Sequence, residues 1–183
     1  QFSEYYHFTL SKSPNLSKQD ILANFIHYGG IPEYNKQLNI SEKQADLFAQ
    51  SVLKTIVEKD IFQRLNITNK HDFNKIIDFV FDSVGSYVSP RSISDTLRSN
   101  GTIIDKQTVA KYLDALCEAY LIYKVPRFEI KGKGLLQTLN KYYVVDPSFA
   151  KVRLKKAILK DRSHWLENMG YLELLRQNKE VFI

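Results

Sequence analysis

The stretch GGIPEY at residues 29–34 is the part of the chain whose composition looks most like a ligand site. Glycine-rich loops that run into a helix bind phosphate through their backbone N–H groups. Here no Lys follows the glycines and no apolar strand precedes them, so a P-loop is not predicted. Local physics instead predicts that Gly29 ends one helix in the left-handed region and that Pro32 lies in the first turn of the next.

Thiol, imidazole and carboxylate groups are not arranged at spacings that identify a site. Cys117, the single cysteine, lies in a helical pattern with no His nearby in the sequence, so we expect an inert, largely buried thiol. The four histidines stand apart from one another and from other ligands at metal-binding spacing. The scattered carboxylates form no acid–base pair that the sequence can identify. We therefore predict no catalytic residue and no metal ligand.

Basic residues could bind a polyanion such as nucleic acid. The chain has a net charge of +6, which permits a polyanionic partner without requiring one. Residues 86–141 hold nine Lys and Arg against five Asp and Glu, a net charge of +4. The predicted nucleic-acid contacts are Arg91, Arg98, Lys106, Gln107, Lys111 and, at the tip of a hairpin, Lys131 and Lys133.

The segment that must position these contacts has its own pattern. Ser89 is the predicted N-cap of a short helix with Pro90 at its first position, and Asp105 begins a second helix after the turn NGTI. The predicted apolar stripe of the second helix consists of Val109, Leu113, Leu116 and Tyr120. The segments LIYKVPRFEI and LNKYYVVDPSF then alternate as strands do, and they flank the basic tip KGKG. Short helix, turn, helix and hairpin together predict a winged helix-turn-helix with a small β-hairpin wing.

The chemistry of the second helix leaves two alternatives open. In such a motif the second helix usually lies in the major groove, and here Lys106, Gln107 and Lys111 begin it. Asp114 and Glu118 on the same helix would repel DNA, and no Arg or Asn lies on its surface to read bases. One alternative is sequence-tolerant contact with double-stranded DNA. The other is a regulatory winged helix that packs against a protein domain.

The remaining sequence is helical in pattern, so the predicted fold class is mainly α. Amphipathic helices are expected over residues 13–28, 41–65 and 71–85. The tail over residues 150–178 is also helical in pattern, and its second half carries an apolar stripe of Trp165, Met169, Leu172 and Leu175. Ser17 and Ser41 are the predicted N-caps of the first two helices. The predicted apolar stripe of the helix over residues 41–65 consists of Leu47, Val52, Ile56 and Ile61. Three units are predicted: a helical bundle at 1–70, the winged helix at 71–149 and a helical tail at 150–183.

Other features limit where the protein acts. One cysteine gives no disulfide framework, and no apolar run approaches the ~18 residues of a membrane span, so we expect a cytoplasmic protein without a membrane partner. The chain begins without Met inside an aromatic pattern and ends on the apolar run EVFI. We expect it to be a fragment of a longer protein, and its oligomeric state is open.

Seven segments in order carry a family resemblance. They are FSEYYHF, GGIPEY, VEKDIFQR, VSPRSISDTL, TVAKYLDALCEAYLIYKVPRFEIKGK, KYYVVDPSF and LENMGYLELLRQ. This order resembles the region after the P-loop domain in a widespread prokaryotic family of AAA+-like ATPases. In that family a helical lid, a winged helix and a C-terminal nuclease-like domain follow the P-loop domain.

The resemblance implies a partner and a cofactor outside this chain. ATP and magnesium would belong to the parent protein, and the missing ATPase domain would be a partner of this region. GGIPEY resembles the family's Gly-Gly-aromatic-Pro-Glu signature, with Ile31 at the aromatic position. It implies that Gly29, Gly30 and Glu33 lie near the nucleotide-facing side of the lid. Arg64 would face nucleotide or a neighbouring subunit, or be an ordinary surface arginine.

The tail resembles the start of a nuclease-like domain. The segment LENMGYLELL is similar to the first helix of the restriction-endonuclease-like fold, which would make Glu167 an early acidic residue of that domain. The Asp and Glu-x-Lys residues of the nuclease motif would lie after Ile183. The resemblance therefore implies that the chain by itself is neither a nuclease nor an ATPase.

Overall fold

A computed structural model describes residues 2–32, 41–127, 139–155 and 162–181. The described helices are α1 (Phe2–Lys12), α2 (Lys18–Tyr28), α3 (Glu42–Thr55) with a π-helical continuation (Ile56–Gln63), α4 (Lys70–Asp82), α5 (Pro90–Ser99), α6 (Lys106–Glu118), α7 (Pro147–Leu154) and α8 (Arg162–Arg176). The described strands are β1 (Tyr87–Val88), β2 (Ile122–Pro126) and β3 (Asn140–Val144). The mainly helical fold class is confirmed, together with a small antiparallel sheet.

Helix starts follow the local sequence closely. Ser17 Oγ accepts the Asp20 N–H at 3.1 Å, and Ser41 forms a capping box with Gln44. Ser89 caps α5 through the Ser92 N–H at 3.0 Å, with Pro90 in the first turn. Side-chain oxygens at these positions satisfy backbone N–H groups that the first helical turn leaves without partners. The predicted N-caps are therefore confirmed.

The apolar stripe predicted for the helix over residues 41–65 is wrong at Leu47, whereas Ile61 is buried and Val52 and Ile56 are partly buried against the core. Leu47 is 55% exposed, whereas the buried stripe of α3 is Ala45, Ala49 and Leu53. Every fourth residue faces inward, and Val57 continues this row into the π-helical segment. Helix α3 packs against α7, and the small side chains of Ala45 and Ala49 rather than Leu47 face the core.

The sheet has the strand order β1-β3-β2, with both pairs antiparallel. Ile122 lies opposite Val144, and Tyr87 lies opposite Lys141. The end of β3 also bonds to α8, because Asn168 accepts the Val144 N–H at 2.7 Å and donates to the Val144 carbonyl at 2.9 Å. Asn168 is fully buried, so this side chain replaces a neighbouring strand at that position.

The tail that was predicted to be helical over residues 150–178 contains two described helices, α7 and α8. Lys155 adopts the left-handed conformation and ends α7, and α8 begins at Arg162. Predicted residues Trp165, Met169 and Leu172 do lie on the buried side of α8.

Helix α7 joins the parts of the fold. It contacts α2, α3, α4 and β3, and Phe149, Ala150 and Val152 are buried in the core. The core cluster includes residues from all three predicted units, and the boundary predicted at 149/150 falls inside α7. The division into units stays a prediction.

Candidate nucleic-acid interface

Helix α6 begins at a well-formed N-cap. Asp105 Oδ1 accepts the Gln107 and Thr108 N–H groups at 2.8 and 2.9 Å, and Asp105 Oδ2 accepts Thr108 Oγ1 at 2.6 Å. These hydrogen bonds lower the pKa of the Asp105 carboxyl. The cap fixes the first turn of α6, where Lys106 and Gln107 emerge.

The two sides of α6 differ sharply. Its buried side consists of Val109, Tyr112, Leu113, Ala115 and Leu116. Its exposed side carries the predicted contacts Lys106, Gln107 and Lys111. Among the described residues, no carboxylate forms an ion pair with either lysine. The first half of this helix therefore presents cations that the fold itself does not use.

Tyr120 was predicted on the inward stripe of this helix, and that prediction is wrong. It is 69% exposed and has φ of 54°. It lies just past Glu118, where helices often end in a left-handed residue, and the Leu121 N–H closes the end on the Leu116 carbonyl at 3.0 Å.

Helix α5 adds the remaining predicted contacts in the helical part. Arg98 is exposed. The Arg91 side chain is 82% exposed, and its Nε lies 3.8 Å from Asp95 Oδ2 on the same helix. Such an exposed pair contributes little to stability, so Arg91 remains available to an external anion.

The second half of α6 is acidic. Asp114 and Glu118 are exposed, and Glu118 Oε2 accepts from Arg64 at 3.1 Å. Arg64 therefore forms an exposed ion pair with α6, as expected if it is an ordinary surface arginine. Any role toward nucleotide stays a prediction.

The wing lysines Lys131 and Lys133 lie outside the described residues. At the base of the hairpin, the Arg127 guanidinium lies 5.6 Å from the centroid of the Tyr87 ring. The Lys141 ammonium lies 5.1 Å from the same centroid. Sequence reasoning missed this cluster of one aromatic ring and two cations, because β1 is only two residues long. The one signal in the sequence was an aromatic residue, Tyr87, shortly before the predicted cap Ser89.

The Gly-Gly turn lies elsewhere, against the start of α7. The Gly30 N–H donates to Asp146 Oδ2 at 2.8 Å, across 116 residues of sequence. Gly29 has φ of 79° and ψ of −174°, a region that is essentially restricted to glycine. The predicted left-handed helical conformation of Gly29 is therefore wrong in ψ. A Cβ at Gly29 would overlap Asp146 Oδ1.

Close packing against other residues of the chain explains both glycines without a ligand. A Cβ at Gly30 would overlap the ring of Phe25. Glu33 lies outside the described residues, and the proximity of this turn to nucleotide stays a prediction.

The described residues offer no group of His, Cys, Asp and Glu that could hold a metal ion. Burial, with a smaller effect of Asp114, raises the pKa of Cys117 to about 11, so its thiol is protonated near neutral pH. Glu167 Oε1 accepts from Lys141 at 2.7 Å and from Tyr143 at 2.6 Å. Burial alone would raise the pKa of Glu167, but these two donors outweigh it and lower the pKa.

The described part of the chain also has no helix with the length and apolar character of a membrane span.

The sequence profile of one family, a domain of unknown function (DUF8612), matches residues 19–158. The chain is 31% identical over 180 residues to an uncharacterised protein of Haemophilus influenzae, covering 98% of this chain and 44% of that protein. It is 25% identical over 190 residues to an uncharacterised protein of Methanocaldococcus jannaschii, covering 100% of this chain and 42% of that protein. The chain thus spans less than half the length of these curated relatives. No solved structure matches it.

Proposed function

The chain belongs to this family of unknown function, and we propose that it contacts double-stranded DNA through a winged helix-turn-helix formed by α5, α6 and the β2–β3 hairpin. The observation that carries the proposal is the exposed first half of α6, where Lys106, Gln107 and Lys111 lie without carboxylate partners among the described residues. The order β1, α5, α6, β2, β3 with a three-stranded antiparallel sheet supports this assignment.

The contact is sequence-tolerant in this proposal. Lysines bind phosphate as point charges, and phosphate contacts position a protein on DNA without reading its sequence. Gln107 is the one described side chain among the predicted α6 contacts that could pair with an adenine edge. Arg91, Arg98 and the hairpin-base residue Arg127 add charge around α6. The wing lysines Lys131 and Lys133 would extend this contact along the backbone.

We also propose that the chain is an accessory region of a larger AAA+-like ATPase in the cytoplasm. The support is the resemblance of its ordered segments and the greater length of both curated relatives. In that protein the ATPase domain would bind ATP and magnesium, and this chain would carry no catalytic residue. Its role would be to link the nucleotide state to contact with DNA.

Duplex binding by fluorescence anisotropy tests the DNA proposal. The double variant Lys106→Glu/Lys111→Glu should bind a short duplex at least about tenfold more weakly than wild type at low salt, because two phosphate contacts become repulsive. The variant Lys43→Glu/Lys54→Glu, on exposed positions of α3, has the same change in net charge and should bind within about threefold of wild type. Equal losses in both variants, or no binding by wild type at low salt, would refute the proposal.

The alternative is a winged helix that packs on the ATPase domain. Two exposed apolar side chains favour it: Ile103 is 84% exposed in the turn before α6, and Tyr120 is 69% exposed after it. Ile103→Ser would then weaken co-purification with the longer protein's ATPase domain and leave duplex binding unchanged. Under the DNA proposal, Ile103→Ser leaves that co-purification intact.

A further inference from the structure

Asp146 is the best-buried carboxylate in the described part of the chain, and its partners lie far apart in sequence. Its oxygens accept the Ser148 N–H at 2.9 Å, the Ser148 hydroxyl at 2.6 Å and the Gly30 N–H at 2.8 Å. Two of these bonds make the N-cap of α7. The third bond holds the end of α2, so one side chain serves two elements.

The position of Asp146 along the chain gives this bond a mechanical consequence. β3 ends at Val144, and α7 begins at Pro147. Val145 donates its N–H to the Leu121 carbonyl at 3.1 Å, which ties the same junction to the start of β2. A displacement of Asp146 therefore reaches both strands of the hairpin.

The other side of the contact is equally constrained. Gly29 has a conformation that other residues cannot adopt at low cost, and its Cα has no room for a Cβ beside Asp146 and Ser148. The end of α2 is also held one turn earlier, where His27 bonds to Glu42 at 2.8 Å. Lys151 of α7, with a 12% exposed side chain, pairs with that same Glu42 at 2.8 Å.

The contact should break abruptly. If α2 moved away, the Gly30 N–H bond would be lost and a buried carboxylate would keep only the donors of Ser148. A buried carboxylate that loses a donor is strongly disfavoured, so intermediate positions are poorly populated. The end of α2 and the junction between β3 and α7 therefore move together or separate completely.

We propose that Gly29, Gly30, Asp146 and Ser148 form a latch that transmits displacement of α1 and α2 to the β2–β3 hairpin. A domain that binds the N-terminal helices would thereby change the position of the hairpin. The consequence for DNA contact rests on the proposed function, but the coupling between the two regions does not.

Hydrogen–deuterium exchange of the 183-residue chain tests the latch. Gly29→Ala should accelerate exchange by about tenfold or more both in residues 21–30 and in residues 141–149, because the new Cβ displaces Asp146. Gly101→Ala is the matched control: Gly101 also has a positive φ, of 81°, but a Cβ there meets no atom within 4 Å. It should leave exchange in both segments unchanged.

Asp146→Asn provides a second route if Gly29→Ala does not fold. It keeps the shape of the side chain but turns an amide NH₂ toward one of the donors, so it should accelerate exchange in the same two segments to a smaller extent. Acceleration confined to residues 21–30, or equal acceleration in Gly101→Ala, would overturn the latch. Neither readout involves DNA, so failure of the latch and failure of the DNA proposal are distinguishable.

Discussion

Asp105 and Asp146 begin α6 and α7 with nearly the same hydrogen bonds, yet they serve different parts of the molecule. Each accepts two N–H groups and one hydroxyl. All of the Asp105 donors lie within its own helix, whereas one Asp146 donor comes from Gly30. Asp105 is exposed and Asp146 is buried. The same cap thus supports an open surface at α6 and an internal joint at α7.

This difference separates what the fold uses from what it leaves available. The Gly-Gly turn has the composition of a ligand loop, but the Gly30 N–H already donates to Asp146. Asp146 and Phe25 also occupy the space that a side chain at Gly29 or Gly30 would need. Among the described residues, Lys106 and Lys111 in the first half of α6 have no carboxylate partner. A search for function should therefore begin at α6 and treat the Gly-Gly turn as part of the framework.

The largest expected effect comes from deleting the buried cap. Asp146→Ala leaves the Gly30 N–H and both Ser148 donors unsatisfied in the interior, so it should reduce the free energy of unfolding by about 3 kcal/mol. Asp105→Ala should cost much less, because water can replace the lost acceptor. Urea denaturation of both variants measures the difference. Equal losses would erase the distinction between the two caps.

The contact between Val144 of β3 and Asn168 of α8 allows a second check on buried polar contacts. Asn168→Ala removes two hydrogen bonds to Val144 in the core and should cost about 2 kcal/mol of unfolding free energy. Asn100→Ala, at the exposed end of α5, is the control and should be nearly neutral. If Asn168→Ala were also neutral, Asn168 would not act as the partner of β3.

The two carboxyls should also respond to pH with opposite signs. Burial raises the pKa of Asp146, although the bonds from Ser148 and Gly30 oppose the rise. Its contribution to stability is then largest below the unfolded-state value of about 3.9 and declines as pH rises through the folded-state pKa. Hydrogen bonds lower the pKa of Asp105, so its contribution is present above about 3.9 and is lost as pH falls.

Chemical denaturation between acidic and neutral pH checks this prediction. Relative to wild type, the cost of Asp105→Asn should grow as pH rises, and the cost of Asp146→Asn should shrink. Parallel pH profiles for the two variants would show that burial does not dominate at Asp146.

A smaller effect is expected at the opposite end of α6. Tyr120 holds a left-handed conformation that favours glycine, and its side chain is largely exposed. Tyr120→Gly should raise the free energy of unfolding by about 1 kcal/mol if relief of strain is the main effect. A loss of stability in thermal unfolding would show that the Tyr120 ring contributes contacts that outweigh the strain.

The sequence was informative where structure is local. Ser17, Ser41, Ser89 and Asp105 were all recognisable as caps, because a cap depends on residues within one helical turn. The alternation in the two hairpin segments likewise marked β2 and β3. Strand β1 was missed since two residues carry no periodicity.

Predictions failed where distant contacts decide. Leu47 was predicted to face the core, but Ala45 and Ala49 are the buried residues in this part of α3, which packs against α7. Nothing in the local sequence links Gly30 to Asp146, which lie 116 positions apart. The end of α7 at Lys155 could not be located from the sequence either, because Lys is ordinarily compatible with a helix.

Among the site residues, those on α5 and α6 could be placed from the helical period alone. Their exposure follows from the buried positions of Val109 and Leu113 one turn apart. Arg127 and Tyr87 could not be placed, because their proximity depends on the pairing of three strands.

The salt dependence of duplex binding tests the central claim most directly. For wild type, the logarithm of the association constant should fall linearly with the logarithm of salt concentration, and Lys106→Gln/Lys111→Gln should reduce the magnitude of that slope by about 2, since each lysine releases about one counterion. Lys43→Gln/Lys54→Gln, on exposed positions of α3, should leave the slope unchanged. An unchanged slope in the double lysine variant, or no measurable binding by wild type, would contradict the assignment of α6 as the DNA-contacting surface.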